Sequence, residues 1–493
     1  MDLYAILILG VILFPISVGT MLLIVPIKNR SHRMFYVEGA TVLNSLVVFY
    51  ILFNSTNEVV EAVQFTGNLS IAFRIDGLGS LFAGLIALLW PFATLYSIEY
   101  MRKEEYEKIF FSFYLITYGV TLGVAMAANL ITMYFYYELL TLSTVPLILQ
   151  KLNRGAILAS RKYLYYSLGG AAFAFIGVLF FIIYGQTANF TYGGVLERFA
   201  YDDGIINSLY FVYVITFMGF GVKAAIFPLN AWLPEAGVAA TPVTALLHAV
   251  AVVKAGVFAI MRVTYYSFGA NFLRGTWAQQ FVMFMSIITI LYGCSMAIKE
   301  THLKRRLAYS TISNLSYILF GISIMTAQGF TGAMLHMVAH AFSKIIAFLC
   351  VGSIMHQSGK NYIHEVNGLG KRMPIVCSIF TLASFSLMGI PLLPIFVSKW
   401  NIAMAAVLSK NTLAYWGIGA LLTSALLTAI YLLTIVLRFF FQSEEDTMIS
   451  EDVKDPNWHM LIPLVIFTLL IIVCSANMQG TIEYLTQVAL GIK

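Results

Sequence analysis

The sequence predicts an all-α polytopic membrane protein with about fourteen transmembrane helices, and three observations support this class. Of the 493 residues, 60% are hydrophobic and 11% are charged, whereas soluble domains carry about 25% charged residues. Apolar stretches of about 18 or more residues, enough for a helix to cross a bilayer, recur along the chain. Basic residues concentrate in alternate loops. β-Barrel spans would instead alternate with period two.

Fourteen apolar segments, separated by short connections, are the predicted spans. In order they are roughly 3–25, 34–54, 77–97, 109–127, 128–150, 162–186, 207–229, 240–262, 278–298, 307–327, 330–355, 374–400, 412–440 and 458–478. We therefore expect one membrane domain over residues 1–493, ending in a short tail helix. No basic region precedes the first span, so we expect no cleavable signal peptide.

The distribution of positive charge predicts the orientation. Of the 29 Lys and Arg residues, 19 fall in odd-numbered loops and five in even-numbered loops. Because cytoplasmic loops are enriched in Lys and Arg, odd loops are predicted to be cytoplasmic and both termini outside. We expect a multi-pass protein of a prokaryotic plasma membrane.

Composition argues against several functional classes. The four cysteines lie singly in separate apolar runs, so no CxxC pair predicts an iron–sulfur or zinc site. No glycine-rich nucleotide loop follows a strand. The net charge of +6 does not indicate nucleic acid. We expect no cofactor in this chain and no nucleic-acid partner.

The loop from Gln442 to Pro456 is acidic, unlike the other connections. One interpretation is a solvated loop. The other is a docking surface for a basic partner subunit.

The stretch from Gly219 to Arg262 combines intramembrane charge with turn residues. Lys223 lies in an apolar run five residues before Pro228, and an ionisable group at this depth costs about 2.5–3.5 kcal/mol on insertion scales. Proline disrupts the preceding helical turn. A broken helix persists in a membrane where it faces protein or a wet cavity.

Lys399 repeats this pattern, since Pro391 and Pro394 come just before it. Two interrupted helices with a lysine near each break are typical of inverted-repeat transporters. The alternative for Lys399 is a lysine that reaches the membrane surface from a helix end.

Glu138 is the carboxylate that the sequence places well inside a span, whereas Asp76 lies at a span mouth. A glutamate side chain is too short to reach the surface from mid-span. We predict that Glu138 faces the bundle interior and pairs with a lysine.

His248 and Lys254 are six residues apart in one predicted helix, roughly 9 Å along its axis. They are better placed as successive steps of a path than as one site. The alternative for His248 is a satisfied core histidine.

His336, His340 and Lys344 follow i, i+4, i+8 spacing, which places three titratable groups on one helix face. Two histidines at i, i+4 also suit zinc, but no acidic ligand lies in this helix and a lysine adjoins the pair. Histidine titrates near neutral pH, and desolvation favours the neutral amine of a lysine. We predict a proton-transfer chain through the intramembrane groups.

Several segments resemble the proton-translocating antiporter family. They are GVKAAIFPLNAWLPEA, TPVTALLHAVAVVKAG, LKRRLAYSTISNLSYI, HMVAHAFSKIIAFL and FYYELLTLSTVPLI, in matching order and spacing over roughly residues 70–440. The family comprises antiporter-like subunits of respiratory complex I, large subunits of Mrp-type Na+/H+ antiporters and the corresponding subunits of membrane-bound hydrogenases.

The resemblance implies fourteen helices with two inverted five-helix repeats, each containing a broken helix. Residues 1–108 would hold helices 1–3, residues 109–262 repeat one, residues 278–440 repeat two and residues 458–478 helix 14. Carried over to this sequence, the implied proton-transfer residues are Glu138, Lys223, His248, Lys254, His336, His340, Lys344 and Lys399, with Pro228, Pro391 and Pro394 at the breaks.

Lysine at position 399 resembles the residue that the D-type antiporter subunit and the distal complex I subunit carry there, whereas some other members carry glutamate. Asn314 departs from the family, because several members have histidine at that position.

The implied function is proton translocation, with or without Na+ exchange, in a larger membrane complex. One alternative is the ion-pumping arm of a redox complex with iron–sulfur, flavin or nickel hydrogenase partner subunits. Another is a non-redox Mrp-type antiporter, and a third is a membrane scaffold without transport.

Overall fold

The computed structural model describes residues 3–25, 27–66, 69–197, 200–441 and 452–492. This part of the chain is helical, with one two-stranded sheet formed by β1 (Val60–Thr66) and β2 (Leu69–Phe73). The helices are α1 (Leu3–Ile24), α2 (Arg30–Phe53), α3 (Gly77–Tyr100), α4 (Glu107–Ala125), α5 (Leu130–Leu149), α6 (Arg154–Tyr184), α7 (Asp203–Gly221), α8 (Trp232–Glu235), α9 (Thr241–Ala249), α10 (Val252–Arg262), α11 (Ala270–Leu273), α12 (Trp277–Lys299), α13 (Leu303–Ser323), α14 (Ala327–Ser358), α15 (Pro374–Met388), α16 (Pro394–Leu408), α17 (Thr412–Phe440), α18 (Trp458–Ala476) and α19 (Met478–Ala489).

Each of the fourteen predicted spans corresponds to one long helix or to a broken pair of helices. Among the described residues, 11 helices are long and apolar enough to cross a membrane, with α9 and α10 counted together. The other three predicted spans are α5 and α13, which carry many polar side chains, and the interrupted pair α15–α16. The predicted fold class is confirmed.

Two spans lie deepest in the protein. The most apolar stretch of α9–α10 is 100% buried and that of α14 is 94% buried, against 28% for α18. The helices that carry His248, Lys254 and the His336–Lys344 face therefore form the centre, while α18 lies at the periphery.

Both predicted helix breaks are present. Turns carry the chain from the end of α7 at Gly221 to α8, and another turn separates α15 from α16. Each break contains a non-glycine residue in the left-handed region, Ala225 at φ 56° and Leu392 at φ 77°. That conformation costs roughly 1–2 kcal/mol, so surrounding contacts must hold both turns in place.

A third interruption was not predicted. The span 240–262, expected as one regular helix, is divided because α9 ends at Ala249 and α10 begins at Val252. The backbone N–H groups of Val250 and Ala251 both donate to the carbonyl of Leu246, at 3.1 and 2.9 Å. Helical geometry therefore does not relate His248 to Lys254, and the prediction of one regular helix was wrong.

The β1–β2 hairpin lies in the connection between α2 and α3, where no strand was predicted. The Ala72 N–H donates to the Thr132 hydroxyl at 2.9 Å, and Phe73 forms an isolated bridge with Ala127. These contacts fix the hairpin beside the start of α5, the helix that carries Glu138.

Three basic residues assigned to loops are buried instead. The Lys304 ammonium donates to the Ala239 carbonyl at 2.8 Å, and Arg306 donates to the Tyr431 carbonyl at 2.9 Å. Arg262 forms a double hydrogen bond with the Asp76 carboxylate, at 2.5 and 2.7 Å. A local sequence count cannot detect these partners, because they come from distant segments.

At the end of the chain, the predicted tail helix is α19, and its Leu485 and Val488 are fully buried. Most of the acidic loop, residues 442–451, lies outside the described residues, so its docking role stays a prediction. Asp455 accepts the N–H groups of Ile375 and Val376, both at 3.1 Å. It thereby caps the N-terminus of α15.

Candidate functional site

Glu138 and Lys223 form an ion pair between α5 and the α7–α8 break. The distance from Lys223 Nζ to Glu138 Oε1 is 3.8 Å, with the side chains 1% and 22% exposed. The same ammonium donates to the Tyr137 carbonyl and lies 3.3 Å from the centroid of the Tyr137 ring. A carboxylate, a carbonyl and an aromatic face thus surround the buried cation.

A cavity of about 350 Å³ adjoins Glu138. Its lining comes from the β1–β2 hairpin and α5, and consists of Phe65, Ile71, Ile131, Tyr134, Phe135, Glu138, Leu139 and Leu142. Glu138 Oε1 has no hydrogen-bond partner among the described residues. Glu138 therefore contributes to the wall of this largely apolar cavity, while its Oε1 atom is buried.

Close helix packing brings α10 against Lys223. A Cβ built on Gly256 would lie 2.5 Å from the Ala224 nitrogen and 2.8 Å from the Lys223 carbonyl carbon. Only glycine permits this approach, and Gly256 lies two residues beyond Lys254. The first broken helix is therefore in direct contact with the central helix.

At the centre, Lys254 of α10 and His340 of α14 are hydrogen-bonded. The distance from Lys254 Nζ to His340 Nδ1 is 2.5 Å, and both side chains are fully buried. A neutral imidazole nitrogen accepts a hydrogen bond from an ammonium, so this pair shares one proton between two helices.

His336 continues the same face of α14 toward the second broken helix. Its ring stacks on that of His340 with centroids 6.0 Å apart. Its Nδ1 atom hydrogen-bonds the Ser398 hydroxyl of α16 at 2.8 Å. His336 thereby links the centre of the protein to the residue that precedes Lys399.

Lys344, the third member of this face, turns toward α13. Its ammonium donates to the Leu307 carbonyl at 3.0 Å and to the Ser310 hydroxyl at 2.8 Å. His336, His340 and Lys344 thus contact α16, α10 and α13 in turn. In the described residues they share one face but form no direct hydrogen bond with each other.

Lys399 folds back over the break that precedes its helix. The ammonium donates to the Met388 carbonyl at 3.3 Å and to the Leu387 carbonyl at 3.5 Å. It also lies 4.8 Å from the Tyr317 ring centroid. Its contacts are with the end of α15, which argues for a role at the break over a lysine that reaches the surface.

His248 stands apart from these pairs. Its ring is fully buried and lies 4.7 Å from the Phe348 ring, while neither ring nitrogen has a hydrogen-bond partner among the described residues. Buried polar atoms without protein partners are commonly satisfied by water. No protein hydrogen bond among the described residues therefore supports the interpretation of His248 as a satisfied core histidine.

The arrangement can move protons but does not suit a metal. In the described part of the chain, no group of three or more His, Cys, Asp or Glu side chains could hold an ion. The pairs instead alternate proton donors with acceptors across four helices.

Sequence reasoning missed several polar partners in this site. Ser398, Tyr317 and Ser310 contact Lys399, His336 or Lys344, yet single hydroxyl residues in apolar helices are common and carry little signal. Ser398 alone had a local indication, since it directly precedes Lys399.

The fold and the site define a class of polytopic membrane protein with broken helices and a row of buried titratable side chains. The chain belongs to the family described as NADH:quinone oxidoreductase/Mrp antiporter, TM, whose profile matches residues 127–428.

The curated relatives it matches include Na(+)/H(+) antiporter subunit A1 of Staphylococcus aureus and the same subunit of strains JH9 and Newman. Each is 28% identical over 482 residues. The match covers 91% of this chain and 59% of the relative, so this chain spans little more than half the length of these proteins.

Two solved structures share the fold. The membrane-bound sulfane sulfur reductase, an archaeal respiratory membrane complex, contains a chain with a TM-score of 0.85 and 22% identity. The Mrp complex from Dietzia sp. DQ12-45-1b contains one with a TM-score of 0.83 and 20% identity. Both alignments cover 99% of this chain and 97% of the other.

Proposed function

We propose that this chain is an antiporter-like, proton-translocating subunit of a multisubunit complex in a prokaryotic plasma membrane. It exchanges H+ for Na+ as part of an Mrp-type assembly. The observation that carries the proposal is the row of titratable side chains from Glu138 to Lys399, in which Lys223 pairs with Glu138 and Lys254 with His340.

A scaffold without transport does not account for this row. Four lysines inside spans cost about 10–14 kcal/mol in total on insertion scales. Hydrophobic residues would pack the same helices without that cost. The lysines also occur at the two breaks and on the two most buried spans.

Proton entry is proposed at the cavity beside Glu138. A proton bound by Glu138 lowers its attraction for Lys223, and the Lys223 ammonium is then favoured to release its own proton. The released proton passes toward the Lys254–His340 pair, then to His336 and finally to Lys399. A carboxylate whose charge changes thus controls the loading of a lysine.

A redox-driven complex is the second candidate, because the family description includes NADH:quinone oxidoreductase as well as Mrp antiporter. Purification of the native complex separates the two proposals. Small membrane subunits alone favour the Mrp-type assembly, whereas flavin, nickel or iron–sulfur subunits favour the redox complex. The proposed partners are other membrane subunits in either case.

The transport proposal is tested by Lys223→Ala and Glu138→Ala in the complete complex, with Na+-driven H+ movement followed in inverted vesicles. Each is expected to lower the rate at least about tenfold, which corresponds to about 1.4 kcal/mol in the barrier. Lys151→Ala and Glu104→Ala are matched controls, since that ion pair is 3.9 Å long but exposed, at 39% and 32%. Undiminished transport in both site variants would refute the proposal.

A further inference from the structure

A second set of polar side chains lies between α12, α13 and α17, outside the row described above. Its members, which we call the α12–α13–α17 cluster, are at most 1% exposed. They are Cys294, Ser310, Ser313, Tyr317, Ser424, Thr428 and Tyr431. No charged residue belongs to the cluster, but lysines lie at two of its sides.

One end of the cluster begins at Lys344. The Lys344 ammonium donates to Ser310 Oγ at 2.8 Å, and the Tyr431 hydroxyl donates to the same oxygen at 2.7 Å. Tyr431 also lies within hydrogen-bond distance of Thr428 Oγ1, at 3.3 Å. Because Ser310 Oγ accepts twice, its own proton remains available to a neighbour.

The other end lies near Lys399. Cys294 Sγ is 2.9 Å from Ser313 Oγ and 3.8 Å from Thr428 Oγ1. It also donates to the Ser424 carbonyl at 3.7 Å.

The Tyr317 ring brings the cluster to the second lysine. The Tyr317 hydroxyl donates to Ser424 Oγ at 2.7 Å, and Lys399 Nζ lies 4.8 Å from the centroid of the same ring. The cluster therefore adjoins Lys344 through a hydrogen bond to Ser310 and Lys399 through the Tyr317 ring.

Hydroxyl side chains in helices commonly donate a hydrogen bond to the backbone carbonyl one turn earlier. Thr428 also does this, with the Ser424 carbonyl at 2.7 Å. The bonds from Ser310 to Lys344 and Tyr431, and from Cys294 to Ser313, instead cross between helices. A connected set of exchangeable protons between two titratable groups has the chemistry of a proton path.

We propose that the α12–α13–α17 cluster is a second proton branch, which joins Lys344 to Lys399 in parallel with the route through His340 and His336. The proposal rests on the transport function proposed above. It assigns proton transfer to a thiol, Cys294, and to the Tyr431 phenol.

Each transfer along the branch conserves protons. An N–H bond of the Lys344 ammonium breaks as an O–H bond forms on Ser310, leaving a neutral amine. The Tyr431 hydroxyl, which donates to Ser310 in this structure, first turns its proton toward Thr428 Oγ1. Ser310 then passes its original proton to the Tyr431 oxygen, Tyr431 passes its phenolic proton to Thr428, and Thr428 passes its own hydroxyl proton to Cys294 Sγ. Cys294 then gives its original thiol proton, through water beside the Tyr317 ring, to Lys399 in its neutral amine form, and no electron moves.

The test uses the complete complex and removes each route separately. Tyr431→Phe deletes only the phenolic hydroxyl, and His336→Asn disables the histidine route. If the routes are parallel, each single variant lowers H+ transport about twofold and the double variant lowers it at least about tenfold. Independent structural damage would instead multiply to about fourfold, and that result would overturn the branch.

Rescue by conservative variants excludes a purely structural role. Cys294→Ser and Thr428→Ser keep an exchangeable proton and are expected to transport like the native chain. Cys294→Ala and Thr428→Val are expected to match Tyr431→Phe, and equal transport by all four would overturn the branch. If Tyr431→Phe fails to assemble, the Thr428 pair still decides the question.

Matched controls come from the same helix and the same residue types. Tyr415 of α17 is 48% exposed, and the Thr434 hydroxyl of α17 bonds only its own helix, so Tyr415→Phe and Thr434→Val should leave transport unchanged. Lys223→Ala must lower transport at least about tenfold in the same assay. If it does not, the proposed transport function is wrong. If Lys223→Ala lowers transport but the cluster variants transport like the native chain, only the proposed second branch is wrong.

Discussion

Lys223 and Lys399 occupy similar places at the two broken helices, but their surroundings differ. Each ammonium donates to a backbone carbonyl and lies against a tyrosine ring, at 3.3 Å for Lys223 and 4.8 Å for Lys399. Lys223 also pairs with Glu138 at 3.8 Å. In the part of the chain that the structure describes, Lys399 forms no ion pair.

This difference separates two ways of controlling a buried amine. The charge of Lys223 depends on a titratable partner, so it can be switched by a proton that arrives at Glu138. Among the described residues, the hydrogen-bond acceptors of Lys399 are backbone carbonyls, which stabilise its ammonium weakly and do not change with pH. The first site is suited to gating, and the second to accepting and releasing protons at the end of a path.

The largest effect should come from reversing the charge of one partner. Glu138→Lys places two ammonium groups beside each other in a buried site, and loss of a buried pair costs about 3–5 kcal/mol. We expect little assembled complex, measured by size-exclusion chromatography of solubilised membranes. The swap of both residues, Glu138→Lys with Lys223→Glu, should recover assembly in part, since the pair is restored.

A swap that assembles no better than Glu138→Lys alone would show that the ion pair does not stabilise the first break. Lys151→Glu with Glu104→Lys, at the exposed pair, serves as the control and should assemble normally.

The next prediction is that removing Lys223 lowers the stability of the complex, whereas removing Lys399 does not lower it. Lys223→Met leaves the Glu138 carboxylate without its cation and should lower stability by about 3 kcal/mol. Lys399→Met removes a cation that has no counter-ion, and should leave thermal stability equal or higher. Thermal unfolding of the solubilised complex measures both, and equal destabilisation by the two variants would contradict the comparison.

The smallest effect concerns the backbone of the two breaks. Leu392 is at φ 77° and is 87% exposed, so Leu392→Gly relieves strain without loss of packing and should stabilise by about 1 kcal/mol. Ala225 is at φ 56° and fully buried, so Ala225→Gly should gain less. The melting temperatures of the two variants rank these effects, and a reversed order would contradict this account.

Long apolar segments were predictable because bilayer thickness imposes their length on any sequence. The breaks near Pro228 and Pro391 followed from the effect of proline on a helix. The division of α9 from α10 had no such signal, since Val250 and Ala251 are ordinary helix residues. The β1–β2 hairpin escaped notice because its register depends on contacts with α5.

In the candidate site, too, some residues were predictable from the sequence and others were not. The cost of placing charge in a membrane identified Glu138, Lys223, Lys254 and Lys399 as functional candidates, and their roles stay a proposal. Burial of Arg262 with Asp76 went unrecognised, because an arginine at a span end normally lies in a loop.

By itself, the sequence determined the membrane class, the approximate spans and which titratable groups lie inside them, since these depend on composition and local periodicity. Only the tertiary structure decided that Lys254 bonds His340, that Lys344 turns to Ser310 and that no described carboxylate pairs with Lys399. Such pairings join residues far apart in the chain, and their geometry is set by helix packing rather than by local preference.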